Sequence, residues 1–366
     1  MNLAFRPALL ALLLGTVGHA AADITIGVSL PLTGPASGLG IPTRNGISLW
    51  PETIGGEKVK LIILDDASDT TQSNKNARRL ISEEKVDIIV GSTATPASIA
   101  LAEVAAEGHT VQISTSPVEL TEAKGTWTFR VAQSTALMAT AVVEHMLKTG
   151  IKTVAFLGYS DAYGEAWLKE FSNQAGKAGL QLITTERFAR ADTAVTGQAL
   201  KILAARPDAV LLGASGSGAA MPHKAIIERG YKGKIYQTHG AASRDLIRIG
   251  GKDVEGSFVV AGLAVLPEAL PDNHPSKKLA VDFVTRYEKQ FGAGTRNQFA
   301  AHGYDAYLIL QEAIPVALTK GKPGTAVFRA ALKNALEASG GIAITQGVIK
   351  FTPKDHFGLA SSARMM

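Results

Sequence analysis

The residues best suited to chemistry are hydroxyl side chains that follow two apolar, β-prone runs. Residues 91–98 read GSTATPAS, where the hydroxyls of Thr93 and Thr95 and the nearby backbone N–H groups can donate hydrogen bonds to an anion at a helix N-terminus. Thr115 and Ser116 close the next apolar run in the same way. Because parallel strands bring their carboxyl ends to one sheet edge, these groups predict a carboxylate cradle. The alternative, that each hydroxyl only caps its own helix, stays open.

Neither glycine-rich turn of the chain has the sequence of a nucleotide-binding loop. A P-loop needs Gly-Lys-Ser/Thr at its end, and no lysine lies between Lys85 and Lys124. The second turn, GASGSG at 213–218, lacks the GxGxxG spacing of dinucleotide-binding proteins. Phosphate chemistry is therefore not expected at either turn.

Hydrolytic and metal chemistry are also poorly supported. Ser215 follows a strand-like run, but residues 213–217 read GASGS, with serine where the nucleophile elbow GxSxG needs its second glycine. A secreted α/β hydrolase that uses Ser215 and His239 stays as an alternative. The histidines form no HExxH pair, cysteine is absent, and the acidic cluster at 65–69 is typical of turns and helix caps. No metal or cofactor is expected.

The amino-terminal segment predicts export. Residues 1–22 contain Arg6 as their only charge, a short apolar block at 8–14 and three alanines before Asp23. This pattern is typical of a signal peptide cleaved near Ala22, which would place the protein in the periplasm. The apolar block is well short of the ~20 residues that a membrane-spanning helix needs.

Composition bounds the remaining possibilities. The chain has 366 residues, of which 46% are apolar and 19% charged, a balance that predicts a globular protein of about two domains. Its formal charge of +5 is spread without long runs of lysine or arginine, which argues against nucleic acid or a membrane surface as a partner. The absence of cysteine excludes disulfides and a thiol nucleophile.

Two α/β units that follow one another must position the candidate residues. Nearly continuous apolar runs predict parallel strands, those of the first unit buried on both faces, at 24–30, 59–64, 86–90, 110–114, 153–158, 180–188, 208–213 and 234–239. Helical periodicity alternates with them at 70–84, 137–148, 166–177, 195–204 and 219–228, and two long helices follow at 277–290 and 298–318. Asp69 is placed to cap the first of these helices. The pattern predicts two doubly wound lobes with parallel sheets.

The order and spacing of several motifs resemble those of a known family, the periplasmic substrate-binding proteins of branched-chain amino acid ABC transporters. The resemblance runs from residue 23 to about 351. It is carried by DITIGVSLPLTGPASGLGIPTRNGISL (23–49), LDDASD (64–69), VGSTATPAS (90–98), ISTSPVELT (113–121), WTFRVAQS (127–134), GYSDAYGEAW (158–167) and GYDAYLIL (303–310).

The resemblance implies a type I periplasmic binding protein, in which a hinge joins two α/β lobes and the ligand is enclosed between them. The first lobe would comprise 23–132 plus 262–343, and the second 133–261 plus 344–366. Such proteins are monomeric carriers and not enzymes, and their closed form is read by an ABC permease in the inner membrane. A purely sensory binding domain is a further alternative.

Ligand positions follow from the resemblance one residue at a time. The first-lobe loops match at Ser92, Thr93, Ala94 and Thr95, and at Thr115 and Ser116; the second lobe matches at Tyr163, Ser215 and His239. Where amino acid binders of the family present a carboxylate to the substrate ammonium, this chain aligns His239, with no acid from 237 to 243. A family position that is often tyrosine aligns with Ser215, which leaves more room.

These two departures favour a carboxylate that lacks an amino group. A buried ammonium without an anionic partner costs several kcal/mol, so an α-amino acid is disfavoured. The resemblance then implies a small aromatic acid, such as a benzoate derivative or a phenyl-substituted oxo acid. A branched-chain or other neutral amino acid is the alternative ligand.

Overall fold

The computed structural model describes residues 23–366. The predicted signal peptide, residues 1–22, lies outside the described residues. Within 23–366, none of the helices has both the length and the apolar character required to cross a membrane.

Strands and helices alternate along most of the chain. The strands are β1 (Ile24–Leu30), β2 (Thr53–Ile54), β3 (Glu57–Asp65), β4 (Ile88–Gly91), β5 (Val111–Ser114), β6 (Thr128–Arg130), β7 (Thr153–Tyr159), β8 (Gln181–Phe188), β9 (Ala209–Gly213), β10 (Lys234–Gln237), β11 (Phe258–Val259), β12 (Ile342–Ile344) and β13 (Gly347–Ile349). The helices are α1 (Ser37–Ile47), α2 (Thr70–Ser82), α3 (Thr95–Glu107), α4 (Glu122–Gly125), α5 (Thr135–Lys148), α6 (Ala162–Lys177), α7 (Thr196–Ala205), α8 (Ala220–Ile227), α9 (Arg244–Gly250), α10 (Lys277–Phe291), α11 (Gln298–Leu318) and α12 (Ala326–Glu337).

Two mainly parallel sheets confirm the predicted doubly wound α/β class. The first has the order β2-β3-β1-β4-β5-β6 and is parallel except for the short β2–β3 pair. The second has the order β11-β10-β9-β7-β8 and is parallel throughout. A separate antiparallel hairpin joins β12 to β13. Since β4 and β5 are neighbours, their carboxyl ends bring Thr93 and Thr115 to one edge.

One strand departs from its predicted burial. The run at 59–64 predicts burial on both faces, but β3 is largely half-buried and Ile63 is 40% exposed. The reason is position in the sheet, because β3 has only the two-residue strand β2 between it and the sheet edge. The predicted cap of α2 is confirmed, since Asp69 Oδ1 accepts a hydrogen bond of 2.7 Å from the Gln72 N–H.

Each sheet carries its own apolar core. Residues from 138 to 260 form the core of the second sheet, and residues from 24 to 131 pack with others from 264 to 351 around the first. The lobe boundaries inferred from the sequence remain a proposal. We place the last passage of the chain from the first lobe to the second after Phe351, and not at the boundary near Ile344 that the sequence predicts. The side chains of Ile344 and Phe351 are both buried in the first core.

Helix α11 buries an ionisable group in the first core, and this makes stability pH-dependent. Asp305 accepts hydrogen bonds from the Thr345 N–H at 2.8 Å and hydroxyl at 3.0 Å, and burial raises its pKa from 3.8 to about 7. Between these pH values the folded protein retains a proton that the unfolded chain releases. The free energy of unfolding should therefore lose up to about 1.4 kcal/mol per pH unit through this group as pH rises.

We expect Asp305→Asn to remove that pH dependence. The change also costs the hydrogen bond from the Thr345 hydroxyl, so the quantity to compare is the slope of the free energy of unfolding against pH. In urea titrations the variant should gain stability relative to the wild type from pH 5 to pH 8. Asp282→Asn, at a side chain 61% exposed on α10, serves as the control and should leave the slope unchanged. Parallel pH profiles for Asp305→Asn and the wild type would contradict the prediction.

Candidate ligand-binding site

A cavity lies where elements of the two cores meet, and the space free of protein atoms within it, open solvent included, is about 340 Å³. The first-core elements contribute Leu39, Thr93, Ala94, Thr95, Thr115, Pro117, Phe299 and His302, and Ala132 lies in the connection that follows β6. The second-core elements contribute Tyr163, Arg190, Ser215, His239 and Gly240. These five residues all follow the carboxyl ends of strands of the second sheet, which is where ligands bind in open α/β folds.

Most of the predicted site residues line this cavity. They are Thr93, Ala94, Thr95, Thr115, Tyr163, Ser215 and His239. Ser92 and Ser116 are buried beside it and do not line it. The Ser92 hydroxyl instead donates to Asp66 Oδ2 at 2.7 Å, and the Ser116 hydroxyl bonds to Thr95 Oγ1 at 2.8 Å.

The turn after β4 is shaped by a glycine. Gly91 has a φ of +120°, and a Cβ at this position would overlap the carbonyl oxygen of Ser29 on β1. The first N–H groups of a helix have no intrahelical partners, and in α3, which begins at Thr95, no side chain caps them; Pro96 in this turn supplies no N–H. The helix N-terminus on the cavity edge therefore carries partial positive charge, which favours an anion.

A chain of threonine hydroxyls forms the first-lobe wall. Thr93 Oγ1 donates to Thr43 Oγ1 at 3.0 Å, and Thr43 Oγ1 in turn donates to the Leu39 carbonyl at 2.9 Å. The Thr93 proton is thus used, so in the 3.0 Å contact between Thr93 and Thr115 the donor is Thr115. A ligand oxygen at Thr115 would replace Thr93 as the acceptor of that proton.

An arginine that the sequence did not single out orders the second-lobe wall. Arg190 Nε and Nη2 donate to Asp161 Oδ2 at 2.9 and 2.7 Å, and its Nη1 donates to Ser215 Oγ at 2.8 Å. The guanidinium also lies over the Tyr159 ring, 4.0 Å from its centre. Because Ser215 Oγ accepts from Arg190, its own proton is free to point at a ligand.

The hydroxyl of Tyr163 is committed within the second lobe. It donates to Thr238 Oγ1 at 2.9 Å and accepts from the Gly240 N–H at 2.9 Å, and burial raises its pKa. A Cβ at Gly240 would lie 2.5 Å from that hydroxyl oxygen and 2.7 Å from Ser215 Cβ, so this position requires glycine. Tyr163 therefore offers the cavity its ring and not its hydroxyl proton.

Two buried histidines complete the lining. His239 packs against Tyr163 and Trp167, with ring centroids 5.8 and 5.5 Å apart, and neither of its ring nitrogens has a hydrogen-bond partner within residues 23–366. His302 Nε2 lies 3.3 Å from Gln133 Oε1, and its Nδ1 is unpartnered in the same part of the chain. Burial lowers the pKa of both histidines to about 3, so both are neutral at pH 7.

The charge pattern of the cavity is distinctive. Among the lining residues from the described chain, Arg190 is the one permanent cation and none is an aspartate or glutamate. Residues 23–366 contain no cluster of three or more histidine, aspartate or glutamate side chains arranged to hold a metal ion. The cavity therefore combines neutral donors, aromatic rings and one arginine whose charge Asp161 already balances.

Sequence patterns contain weak signals for the residues that were missed. Arg190 comes two positions after β8, which ends at the same sheet edge as the predicted site residues. Phe299 and His302 lie in the first turns of α11, where the buried residues include the polar side chains of Gln298, His302 and Asp305. Neither position resembles a binding motif, so only the packing of α11 and β8 against the cleft shows them.

Comparisons with known proteins identify the family. A family model described as periplasmic binding protein matches residues 23–366. An extracellular ligand-binding receptor from Rhodopseudomonas palustris HaA2 is 45% identical, with a TM-score of 0.93 over 94% of this chain and 96% of that one. Leu/Ile/Val-binding protein homolog 3 from Brucella melitensis biotype 1 is 25% identical over 67% of this chain and 69% of its own length.

A more distant structure shares the fold. The solute binding protein of an ABC transporter from Rhodopseudomonas palustris BisB5, solved in complex with 3,4-dihydroxy benzoic acid, has a TM-score of 0.78. It is 23% identical, over 91% of this chain and 90% of that one, a similarity that concerns the fold alone. The predicted resemblance to branched-chain amino acid binding proteins is confirmed at the level of the family.

Proposed function

The chain belongs to the periplasmic binding protein family, and we propose that it captures a small aromatic carboxylate in the cavity between its lobes. Proteins of this family are solute carriers of ABC transporter type and not a class of enzyme. In this proposal the chain is exported to the periplasm and delivers its ligand, as a monomer, to a permease in the inner membrane. The ligand class rests on the cavity, because related proteins bind ligands of different classes.

One observation carries the proposal: the lining combines donors for an anion with aromatic walls and, within the described chain, no carboxylate. Thr115, Ser215 and the N-terminus of α3 can each direct a hydrogen-bond donor at a ligand carboxylate. An α-amino acid would also bring an ammonium group, and this lining offers it no anionic partner. Burying that charge unpaired would cost several kcal/mol.

The apolar half of the ligand is matched by flat, rigid surfaces. The rings of Tyr163, His239 and Phe299 all line the cavity, and edge-to-face or offset contacts with such rings stabilise a bound aromatic group by about 0.5–1.5 kcal/mol per pair beyond its burial. These flat walls favour a planar ring in the apolar half of the ligand.

Two alternative functions, binding of a neutral amino acid and ester or amide hydrolysis, have less support from the contacts in the cavity. A neutral amino acid stays the second ligand class, since relatives carry the Leu/Ile/Val-binding name. The hydrolase hypothesis needs a histidine to activate Ser215, but Ser215 Oγ bonds to Arg190 and the ring nitrogens of His239 bond to nothing in residues 23–366. The charged partner of Ser215 is a cation that cannot accept its proton.

We expect calorimetry on ligand-stripped protein to detect binding of at least one aromatic acid at micromolar concentration or below. The panel is benzoate, 4-hydroxybenzoate, 3,4-dihydroxybenzoate and phenylglyoxylate, with leucine and valine as the competing class. Benzyl alcohol is the matched control: it keeps the ring but lacks the carboxylate, and it should bind far more weakly than benzoate. Tight binding of leucine with no response to any of the four acids would overturn the ligand assignment.

A further inference from the structure

The two cavity histidines have unused hydrogen-bonding capacity. His239 and His302 are 2% and 1% exposed and line the same cavity. Both ring nitrogens of His239 and the Nδ1 of His302 have no partner within residues 23–366, although such buried atoms are normally satisfied. Three buried nitrogen atoms thus have no hydrogen-bond partner in the described chain.

Few charged groups face these rings. Helix α6 presents Tyr163 and Trp167 to His239, and both are neutral. The segment after β8 contributes Arg190 to the cavity lining, with its charge paired to Asp161. The histidines themselves are the other titratable groups near these rings, and His302 adds to the effect of burial in lowering the pKa of His239.

The surroundings of His302 are neutral as well. Within residues 23–366 the His302 ring makes one hydrogen bond, from Nε2 to Gln133 Oε1, and one ring contact, with Phe299 on the same helix, 6.2 Å away between centroids. With Nε2 donating to Gln133, the free Nδ1 is the atom that would receive a proton. His239 could receive one on either nitrogen.

A carboxylate that enters this site brings an unbalanced charge. Asp161 already balances Arg190, so the hydroxyl groups of Thr115 and Ser215 can bond to the anion without neutralising it. An anion beside a buried imidazole stabilises its protonated form, because the opposite charge offsets the penalty that burial imposes. The two histidines are the groups in the described lining that can supply that charge.

We propose that capture of an aromatic carboxylate is coupled to the uptake of one proton from solvent by the pair formed by His239 and His302. The inference rests on the proposed function. A new N–H bond forms on one imidazole, no ligand bond breaks, and the anion and proton are buried together as a neutral combination. Affinity should therefore fall as pH rises, by up to tenfold per unit across the range in which the bound histidine titrates.

Calorimetry in two buffers tests the coupling directly. Benzoate, or 4-hydroxybenzoate if it binds more tightly, is titrated at pH 6 and pH 7 in phosphate and in Bis-Tris, which both buffer in this range and whose ionisation enthalpies differ strongly. Because a proton taken up by the protein comes from the buffer, the observed enthalpy should differ between buffers by an amount equivalent to about one proton per ligand at the acidic end. Equal enthalpies with tight binding would overturn the inference and leave the proposed function intact.

Histidine variants locate the proton. Proton uptake should fall towards zero when both His239 and His302 are replaced by glutamine, and the single variant that loses it identifies the histidine that carries the proton, whereas His223→Gln should keep it. His223 is the matched control, since it is 1% exposed but lies outside the cavity and contacts the Gln237 amide at 3.1 Å. Uptake that persists when both cavity histidines are replaced would place the proton on the ligand and overturn the inference.

Imidazole nitrogen NMR on the wild type keeps the test decisive if the variants fold poorly. With ¹⁵N-labelled histidine, one cavity ring should change from neutral to imidazolium shifts when the acid is added near pH 6. Unchanged neutral shifts in the saturated complex would contradict the coupling. Failure of every aromatic acid to bind would instead overturn the proposed function itself, and the inference with it.

Discussion

Arg190→Met is expected to weaken aromatic carboxylate binding at least about a hundredfold while the protein stays folded. Loss of the guanidinium lets the Ser215 hydroxyl turn away from the ligand, because Nη1 no longer occupies its acceptor site. The change also leaves Asp161 as an unpaired anion near the cavity. Breaking a largely buried ion pair costs about 3–5 kcal/mol, and part of that cost falls on the complex as repulsion of the ligand carboxylate.

A neighbouring ion pair provides the control for Arg190. Arg187 on β8 bonds to Glu165 on α6, so this pair lies next to the pair of Arg190 and Asp161, but both of its side chains are more than 40% exposed. Such surface pairs contribute about 0–1 kcal/mol, and Arg187→Met should leave affinity unchanged in calorimetry. Arg190→Lys should bind with intermediate affinity, since an ammonium cannot span Asp161 and Ser215 as the guanidinium fork does. Wild-type affinity in Arg190→Met would exclude Arg190 from the site.

The sequence predicted the fold well because buried parallel strands leave a strong signal. Strand β1 was predicted residue for residue, as was α11, whose apolar stripe is fully buried. The prediction failed for burial of β3, since apolar content cannot tell a central strand from one near the edge of the sheet. Order within the sheet is a tertiary property, and no local pattern encodes it.

The site was predicted less completely, because the sequence does not show which way each side chain points. Ser92 and Thr93 are adjacent and chemically alike, yet one side chain bonds to Asp66 and the other lines the cavity. Which of two neighbours faces the cleft depends on the backbone path after Gly91, whose positive φ the sequence allows but does not require. Arg190 was missed because its importance comes from its contact with Ser215, 25 positions along the chain.

Exchange of His239 for aspartate is expected to reverse the ligand preference. At pH 8 an ionised carboxylate at this position would repel a bound carboxylate and attract an ammonium group. Two unit charges about 4 Å apart interact by about 4 kcal/mol at the effective dielectric constant of a protein site. Calorimetry should show benzoate affinity reduced at least about a hundredfold in His239→Asp, and leucine binding should become measurable.

His239→Asn separates charge from shape in this experiment. Asparagine has the size of aspartate without its charge, so it should lose the packing against Tyr163 and Trp167 and any hydrogen bond to the ligand, but add no repulsion. Benzoate affinity should then fall by only about tenfold, the loss expected for one hydrogen bond, and leucine should still fail to bind. Equal losses of benzoate affinity in the two variants would mean that the ligand carries no negative charge beside position 239. In that case the missing carboxylate could not be what selects against amino acids.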